Sequence, residues 1–266
     1  MINVGFIGAG NMGYAIMKGI KSSAKSDEIL LSVFDIYAPA VERAVELGAA
    51  ALESIKALAA SCSYVFLAIK PQQLDEVLDE LKDSVSADTV IISICAGITD
   101  EYIQSKTADF VKVIMVMPNT PLLLGEGATA LSRSDNVSDD EFRLVCDIFS
   151  SCGIVSVLPK NKMKEVIAIN GSSPAFIYLY AKAFIDYAVS VGIGAGAATE
   201  LFAKSLIGSA KMITNSGKTI DELITMVSSR GGTTIAGLEK LRAGDLEGTV
   251  KSCCEACTKR AYELSK

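Results

Sequence analysis

Two hydrophobic textures divide the chain. Up to Leu158-Pro159, short apolar runs alternate with amphipathic stretches; beyond it no β-branched run recurs, and apolar positions keep helical spacing to the end. In the first part, residues 4–7, 29–34, 64–69, 90–94 and 111–117 read as strands. Between them the pattern predicts helices that begin near Tyr14, at Pro39 and over 72–81. Strands separated by helices imply right-handed crossovers, and so an α/β fold with a doubly wound, mainly parallel sheet. Residues 128–131 and 154–158, with a helix over 138–150 between them, complete that sheet. Residues 1–159 are therefore read as a Rossmann-type domain and 160–266 as an all-helical one.

In the second part, 174–191 is apolar on nearly every face, and 197–215, 219–226, 234–243 and 246–264 read as further helices. A helix apolar all round must be buried on all sides. The residues after Pro159 are too few to enclose it well in a monomer. The expectation is that this half dimerises with the long helix in the interface; the alternative is that the first domain covers it.

The first strand runs into Gly8-Ala9-Gly10-Asn11-Met12-Gly13, a G-x-G-x-x-G spacing between a strand and a helix. Gly8 permits the tight turn, Gly10 lets the backbone approach a pyrophosphate, and Gly13 allows close helix–strand packing. The free amides at the helix N-terminus would hold the anion. Asp35 ends the second strand, close to where such folds place a ribose-binding carboxylate; the plainer reading is a strand-end Asp that starts a turn. Ligands in these sheets sit outside the carboxyl ends of the strands. Residues 8–13, 68–71, 96–97 and 118–121 all follow strand ends and should line one crevice.

Composition narrows the classes. With 25 basic against 31 acidic residues the net charge is −6, and no Lys/Arg cluster appears, which argues against a nucleic-acid partner. No secretory n-region is seen, and no uncharged apolar run is long enough to span a membrane; 175–191 carries Lys182 and Asp186. Seven scattered cysteines fit reduced thiols in the cytoplasm. Cys254 and Cys257 form a CxxC inside a helical pattern, but with no histidine in the chain a zinc site lacks ligands, so helix packing explains them better.

One segment of the helical half breaks its pattern: Ser229-Arg230-Gly231-Gly232-Thr233-Thr234, leading into a helix. Glycines and threonines there expose backbone N–H groups with a hydroxyl cap available, a receptor suited to a carboxylate. The bland alternative is a capped helix after a flexible loop. A second break is Asn170-Gly171-Ser172-Ser173-Pro174. There is no obvious acid–base pair, which an alcohol dehydrogenase needs to move the hydroxyl proton. A C=N substrate relaxes that need, because a protonated imine already draws a hydride and requires mainly positioning.

Taken together, 7–13, 68–71, 93–97, 117–121, Gly127-Ala128, 170–175 and above all Gly231-Gly232-Thr233-Thr234 resemble the pyrroline-5-carboxylate reductase family, over nearly the whole chain. The resemblance implies NAD(P)H-dependent reduction of Δ1-pyrroline-5-carboxylate to L-proline, the last step of proline biosynthesis. It also implies a Rossmann domain followed by a helical dimerisation domain, often assembled into rings of dimers. Carried over by residue, Gly8, Ala9, Gly10, Asn11, Met12 and Gly13 would bind the dinucleotide phosphates. Ala68, Lys70, Pro71, Ala96 and Gly97 would flank the nicotinamide. Ser229, Gly231, Gly232 and Thr233 would hold the substrate carboxylate, and Thr234 would hydrogen-bond the ring nitrogen as the catalytic residue.

Three positions depart from the family pattern. Arg230 replaces a usual proline, and could add charge at the carboxylate or point to solvent. Ser173 replaces a usual glycine. Asp35 stands where many members, which prefer NADPH, present small, polar or basic residues; a carboxylate there favours a 2′-hydroxyl over a 2′-phosphate, so Asp35 leans to NADH, with Arg43 nearby as a counterweight. Two other readings stay open. A 3-hydroxyacid dehydrogenase would use a lysine on the long helix, where Lys182 has Asp186 one turn on as an ordinary partner. A non-catalytic dinucleotide-binding protein would keep cofactor affinity without turnover.

Overall fold

β1 (Ile2–Ile7) is the strand on which both faces of the core are assembled. Val4 and Phe6 point into one hydrophobic cluster and Ile7 into the other. In this computed structural model, which describes residues 1–264, the chain forms two compact units. One is Met1–Pro174 together with the chain from Cys257 onward; the other is Ala175–Ala256. The pattern change at Pro159 thus precedes the break in contacts at Pro174.

In the first unit β1 is followed by α1 (Asn11–Ser22), β2 (Ile29–Phe34), α2 (Ala38–Glu46), β3 (Ala50–Ala51), α3 (Ile55–Ser61), β4 (Tyr64–Leu67) and α4 (Leu74–Leu81). Then come β5 (Val90–Ser93), α5 (Asp100–Lys106), β6 (Lys112–Met117), β7 (Gly127–Arg133), α6 (Asp139–Ser150) and β8 (Gly153–Val157). The strands form one sheet in the order β3-β2-β1-β4-β5-β6-β7-β8. All neighbours are parallel except β6 and β7. Residues 118–126 account for the reversal, because a parallel return needs about a dozen residues or more.

Side chains of α1, α2 and α6 cover one face, where Phe6 and Phe66 stack with ring centroids 4.4 Å apart and Phe149 lies 6.2 Å from Phe66. Residues of α3, α4 and α5 cover the other, joined by Met163, Ile167 and Ala261. Several elements escaped the periodicity. β3 is two alanines, and α3 and α5 are seven residues each, too short for a 3.6-residue repeat to declare itself. Their starts are nonetheless written in the sequence: Ser54 and Thr99 accept the N3 amides of α3 and α5. The strand expected over 64–69 stops at Leu67, and the helix expected from Gln72 begins as a 3₁₀ turn, Pro71–Gln73.

The second unit holds most of α7 (Ser173–Ser190), then α8 (Ala195–Asn215), α9 (Ile220–Met226), α10 (Thr233–Ala243) and the start of α11 (Leu246–Leu264). Tyr180, Phe184 and Phe202 form an aromatic cluster between α7 and α8, with the two phenyl rings 4.5 Å apart. Other apolar side chains face outward in the single chain: Leu179 is 70% exposed, Tyr187 68% and Leu201 68%. The all-round apolar helix is therefore present, but within one chain much of it stays uncovered.

Candidate active site

β1 ends at Ile7 and α1 begins at Asn11, so Gly8, Ala9 and Gly10 make the whole turn. Gly8 has φ +99°, and a Cβ on it would lie 2.4 Å from the Ala68 carbonyl oxygen. Only glycine meets both constraints. A Cβ on Gly13 would come 2.5 Å from the Gly8 carbonyl, so α1 sits directly on the turn, as close packing requires. Gly10 is different: it has φ −59°, is exposed, and has nothing within 4 Å of where a Cβ would be.

Gly10 is also the N-cap of α1, with no side chain bonded to the first-turn amides and no acidic residue among them. By contrast α3, α5 and α6 are closed by Ser54, Thr99 and Ser138. The first amides of a helix have no partner within it, and the dipole adds partial positive charge. An open glycine before uncapped amides fits a dinucleotide pyrophosphate.

Asp35 and Arg43 reach this turn from β2 and α2. Asp35 Oδ2 accepts the Ala9 N–H at 2.6 Å, and its Oδ1 accepts the Tyr37 N–H at 2.9 Å. Arg43 Nη2 donates to the Ala9 carbonyl at 3.1 Å, with its guanidinium 4.1 Å from the Tyr14 ring centre. Asp35 thus starts a turn, the plainer of the two readings weighed from the sequence, and its other oxygen holds the glycine turn. Arg43's hold on Ala9 was not foreseen; its place on the inward face of α2 was the available signal.

Ala68, Lys70 and Pro71 leave the end of β4, and Ala96 and Gly97 leave the end of β5, beside it in the sheet. Ala68 donates its N–H to Ile7 at 2.8 Å, which ties this edge to the glycine turn. Lys70 and Ala96 are exposed, whereas Gly97 is buried. A cavity of about 330 Å³ opens beside the loop, lined in part by Ser93, Cys95, Gly97, Met115 and Met117. Burial pushes the Cys95 thiol up to about 11, and the thiol donates to the Ile69 carbonyl at 3.5 Å. It stays protonated at neutral pH and is no nucleophile. In the same wall Asp100, 1% exposed, pairs with Lys160 at 2.8 Å; burial raises its carboxyl above the usual range.

Two asparagines tie the ends of β6 and β7. Asn119 Oδ1 accepts the Ala128 N–H at 2.9 Å, and Asn170 Nδ2 donates to Met117 and Ala128 carbonyls at 2.7 and 3.1 Å. Asn170 lies in a π-helical stretch, Ile167–Gly171, at the point where the sequence interrupts its helical pattern.

In the second unit Gly231 has φ +71° and the turn closes with Gly232 N–H donating to Ser229 O at 2.9 Å. The helix starts at Thr233 with Gly232 as its N-cap, and no side chain bonds the first amides. The hydroxyl cap expected of the threonines is therefore not made: both lie inside the first turn, where their oxygens are past the capping position. Ser229, Arg230, Gly231, Thr233 and Thr234 are exposed in the single chain. Lys182 forms an ion pair with Asp186, both well exposed, the ordinary surface pair its spacing suggested. Among the described residues, no three Asp, Glu or Cys side chains gather to hold a metal.

A glycine turn at the carboxyl end of an inner strand of a doubly wound sheet, followed along the chain by an α-helical unit, is the arrangement of a Rossmann-fold dinucleotide-binding oxidoreductase. Its sequence is 33% identical to pyrroline-5-carboxylate reductase 3 of Danio rerio, over 99% of this chain and 91% of that one. The chain belongs to the pyrroline-5-carboxylate reductase family. It is 32% identical to pyrroline-5-carboxylate reductase of Escherichia coli, covering 99% of this chain and 98% of the relative. Residues 160–264 match the family model for pyrroline-5-carboxylate reductase dimerisation, and 3–97 match that for NADP oxidoreductase, coenzyme F420-dependent. The fold superposes with a TM-score of 0.89 on pyrroline carboxylate reductase of Plasmodium falciparum with NADP bound. That protein is 28% identical, with 100% of this chain and 98% of the other covered.

Proposed function

We propose that this protein reduces Δ1-pyrroline-5-carboxylate to L-proline with a reduced nicotinamide dinucleotide, the last step of proline biosynthesis. The observation that carries the reading is the open turn at Gly10, with uncapped amides behind it, in a chain of this family. The reduced nicotinamide, when bound, supplies the hydride that the C=N carbon receives. Gly8, Ala9, Gly10, Asn11, Met12 and Gly13 hold its phosphates, with Asp35 at the adenosine ribose. Ala68, Lys70, Pro71, Ala96 and Gly97 flank the ring.

Ser229, Gly231, Gly232 and Thr233 receive the substrate carboxylate through the bare amides of the α10 start. The Thr234 hydroxyl, one residue into the same turn, hydrogen-bonds the substrate nitrogen and keeps its proton in place while the neighbouring carbon is reduced. No stronger acid is required, because the nitrogen of the substrate is already protonated.

The Asp35 carboxylate leans the coenzyme choice to NADH, since it accepts ribose hydroxyls and repels a 2′-phosphate. The chain acts as a homodimer through the helices of its second unit, supported by the exposed Leu179, Tyr187 and Leu201 on α7 and α8, and rings of such dimers extend the proposal. Among the described residues no helix is long and apolar enough to cross a membrane, and a cytoplasmic setting suits the buried thiols of Cys62, Cys95 and Cys152. Turnover of racemic pyrroline-5-carboxylate with each reduced coenzyme tests the reading. Oxidation of neither coenzyme would remove it.

A further inference from the structure

Ala9 has no side chain to speak of, yet two charged residues reach it from outside the turn. Asp35 takes its N–H at 2.6 Å and Arg43 holds its carbonyl at 3.1 Å. The Ala9 carbonyl and the Gly10 N–H belong to one peptide unit. That unit is planar and trans, so its C=O and N–H point in opposite directions. Fixing the carbonyl on Arg43 therefore aims the Gly10 N–H away from α2. Gly10 is where the turn needs such fixing: Ala9 is buried, but Gly10 is exposed and has nothing within 4 Å of its missing Cβ, so packing does not hold the Gly10 end of this peptide.

Arg43 is committed to the task. Its guanidinium lies 4.1 Å from the Tyr14 ring centre, and its Nε is buried without a hydrogen-bond partner among the described residues. A side chain held by a ring face and a main-chain carbonyl gives up contacts to swing toward a phosphate on the ribose. We propose that Arg43 is a positioning residue that aims the Gly10 amide at the coenzyme pyrophosphate, and that it serves NADH and NADPH alike rather than selecting the 2′-phosphate. This rests on the reading that the turn binds a nicotinamide dinucleotide.

Calorimetric titration of the full chain with NADH and with NADPH tests it, using Arg43→Met, which keeps the apolar stem, and Arg43→Lys, which keeps a charged donor. The expected result is a rise in Kd of about tenfold for both coenzymes in Arg43→Met, the order of one lost charge-assisted hydrogen bond. The NADH-to-NADPH ratio stays unchanged, kcat at saturating coenzyme stays within about twofold, and Arg43→Lys recovers part of the affinity for both. A loss confined to NADPH would make Arg43 a 2′-phosphate ligand and overturn the proposal, as would unchanged Kd values for both. If Arg43→Met does not fold, the same comparison in Arg43→Lys decides, by equal or by NADPH-only change. Failure of the unsubstituted protein to bind either coenzyme would instead sink the dinucleotide reading itself.

Discussion

Replacing Gly10 with alanine separates the stability of the turn from its use. At Gly10 φ is −59°, a value alanine adopts freely, and the added methyl meets no atom within 4 Å. Such a replacement restricts the unfolded chain and stabilises by about 0.4–1 kcal/mol. The methyl instead enters the open side where the pyrophosphate is proposed to lie. Losing one charge-assisted bond there costs about 1.5–3 kcal/mol, or about one to two orders of magnitude in Kd.

Gly8→Ala is the opposite case. Its methyl would lie 2.4 Å from the Ala68 oxygen and 2.8 Å from the Ala68 carbonyl carbon, both main-chain atoms that cannot turn aside. Left-handed strain of about 1–2 kcal/mol and overpacking of about 1–3 add to roughly 2–5 kcal/mol. That is a large share of the roughly 5–15 kcal/mol that holds a typical domain. Thermal unfolding followed by far-ultraviolet circular dichroism gives the stabilities, since the chain lacks tryptophan, and calorimetric titration with NADH gives the affinities. Gly10→Ala should melt no lower than the parent yet bind coenzyme at least tenfold more weakly, the lower end of that bond's worth. An unchanged Kd in Gly10→Ala would refute the placement of the pyrophosphate; an unchanged melting point in Gly8→Ala would refute the clash.

Three further outcomes are expected. Asp35→Ser should lower the NADH-to-NADPH preference by about tenfold in kcat/KM, because a hydroxyl neither repels a 2′-phosphate nor holds a ribose diol as a carboxylate does; a strong NADPH preference in the parent would contradict the role given to Asp35. Thr234→Ala should lower kcat by about a hundredfold with the Kd for NADH unmoved, and Thr234→Ser should restore most of it, as steady-state and binding measurements will show. Glu141 pairs with Lys112 at 2.7 Å and closes the Ser138 capping box; burial opposes its charge, but the Lys112 and Ser138 bonds prevail and hold its carboxyl below the usual range. Because the folded value is the lower one, its stabilisation is complete above the unfolded carboxylate value of about 4.3 and is lost as pH falls through the folded one. Urea unfolding across that range should show Glu141→Gln less stable at neutral pH and the gap closing in acid; a constant gap would contradict the ion-pair origin.

Long, periodic or glycine-marked features were legible in the sequence, and features made by tertiary geometry were not. Short apolar runs such as 113–117, too brief for a helix and set between helical patterns, read as strands buried on both faces, and the break of texture at Pro159 announced the helical half. The glycine turn was readable because two of its three glycines answer a steric demand: Gly8 to φ +99°, Gly13 to the Gly8 carbonyl. What composition cannot announce is a two-residue strand, a seven-residue helix, or the antiparallel return of β7. That reversal follows from the length of 118–126 set against what a crossover needs. A length count before a topology guess would have found it.

The same distinction explains the site. Motif spacing names residues whose backbone meets a ligand, because backbone demands restrict residue type. It is silent about side chains that act on that backbone from elsewhere. Asp35 was visible through its distance from the turn, but its bond to Ala9 was not, and Arg43 entered only as a charge near a ribose. Asn170 looked like part of a run of small residues until its amide was seen spanning Met117 and Ala128. The second unit carries the same lesson to assembly. Gly231 and Gly232 fix the shape of their turn within the chain, whereas Thr234 and the apolar side of α7 are left in water by a single copy. Hydride transfer to an imine needs water kept from the reacting atoms. The exposed Thr234 hydroxyl, proposed to be catalytic, and an exposed apolar helix in one unit therefore pose a single requirement, which the proposed second copy of the chain would meet by covering both.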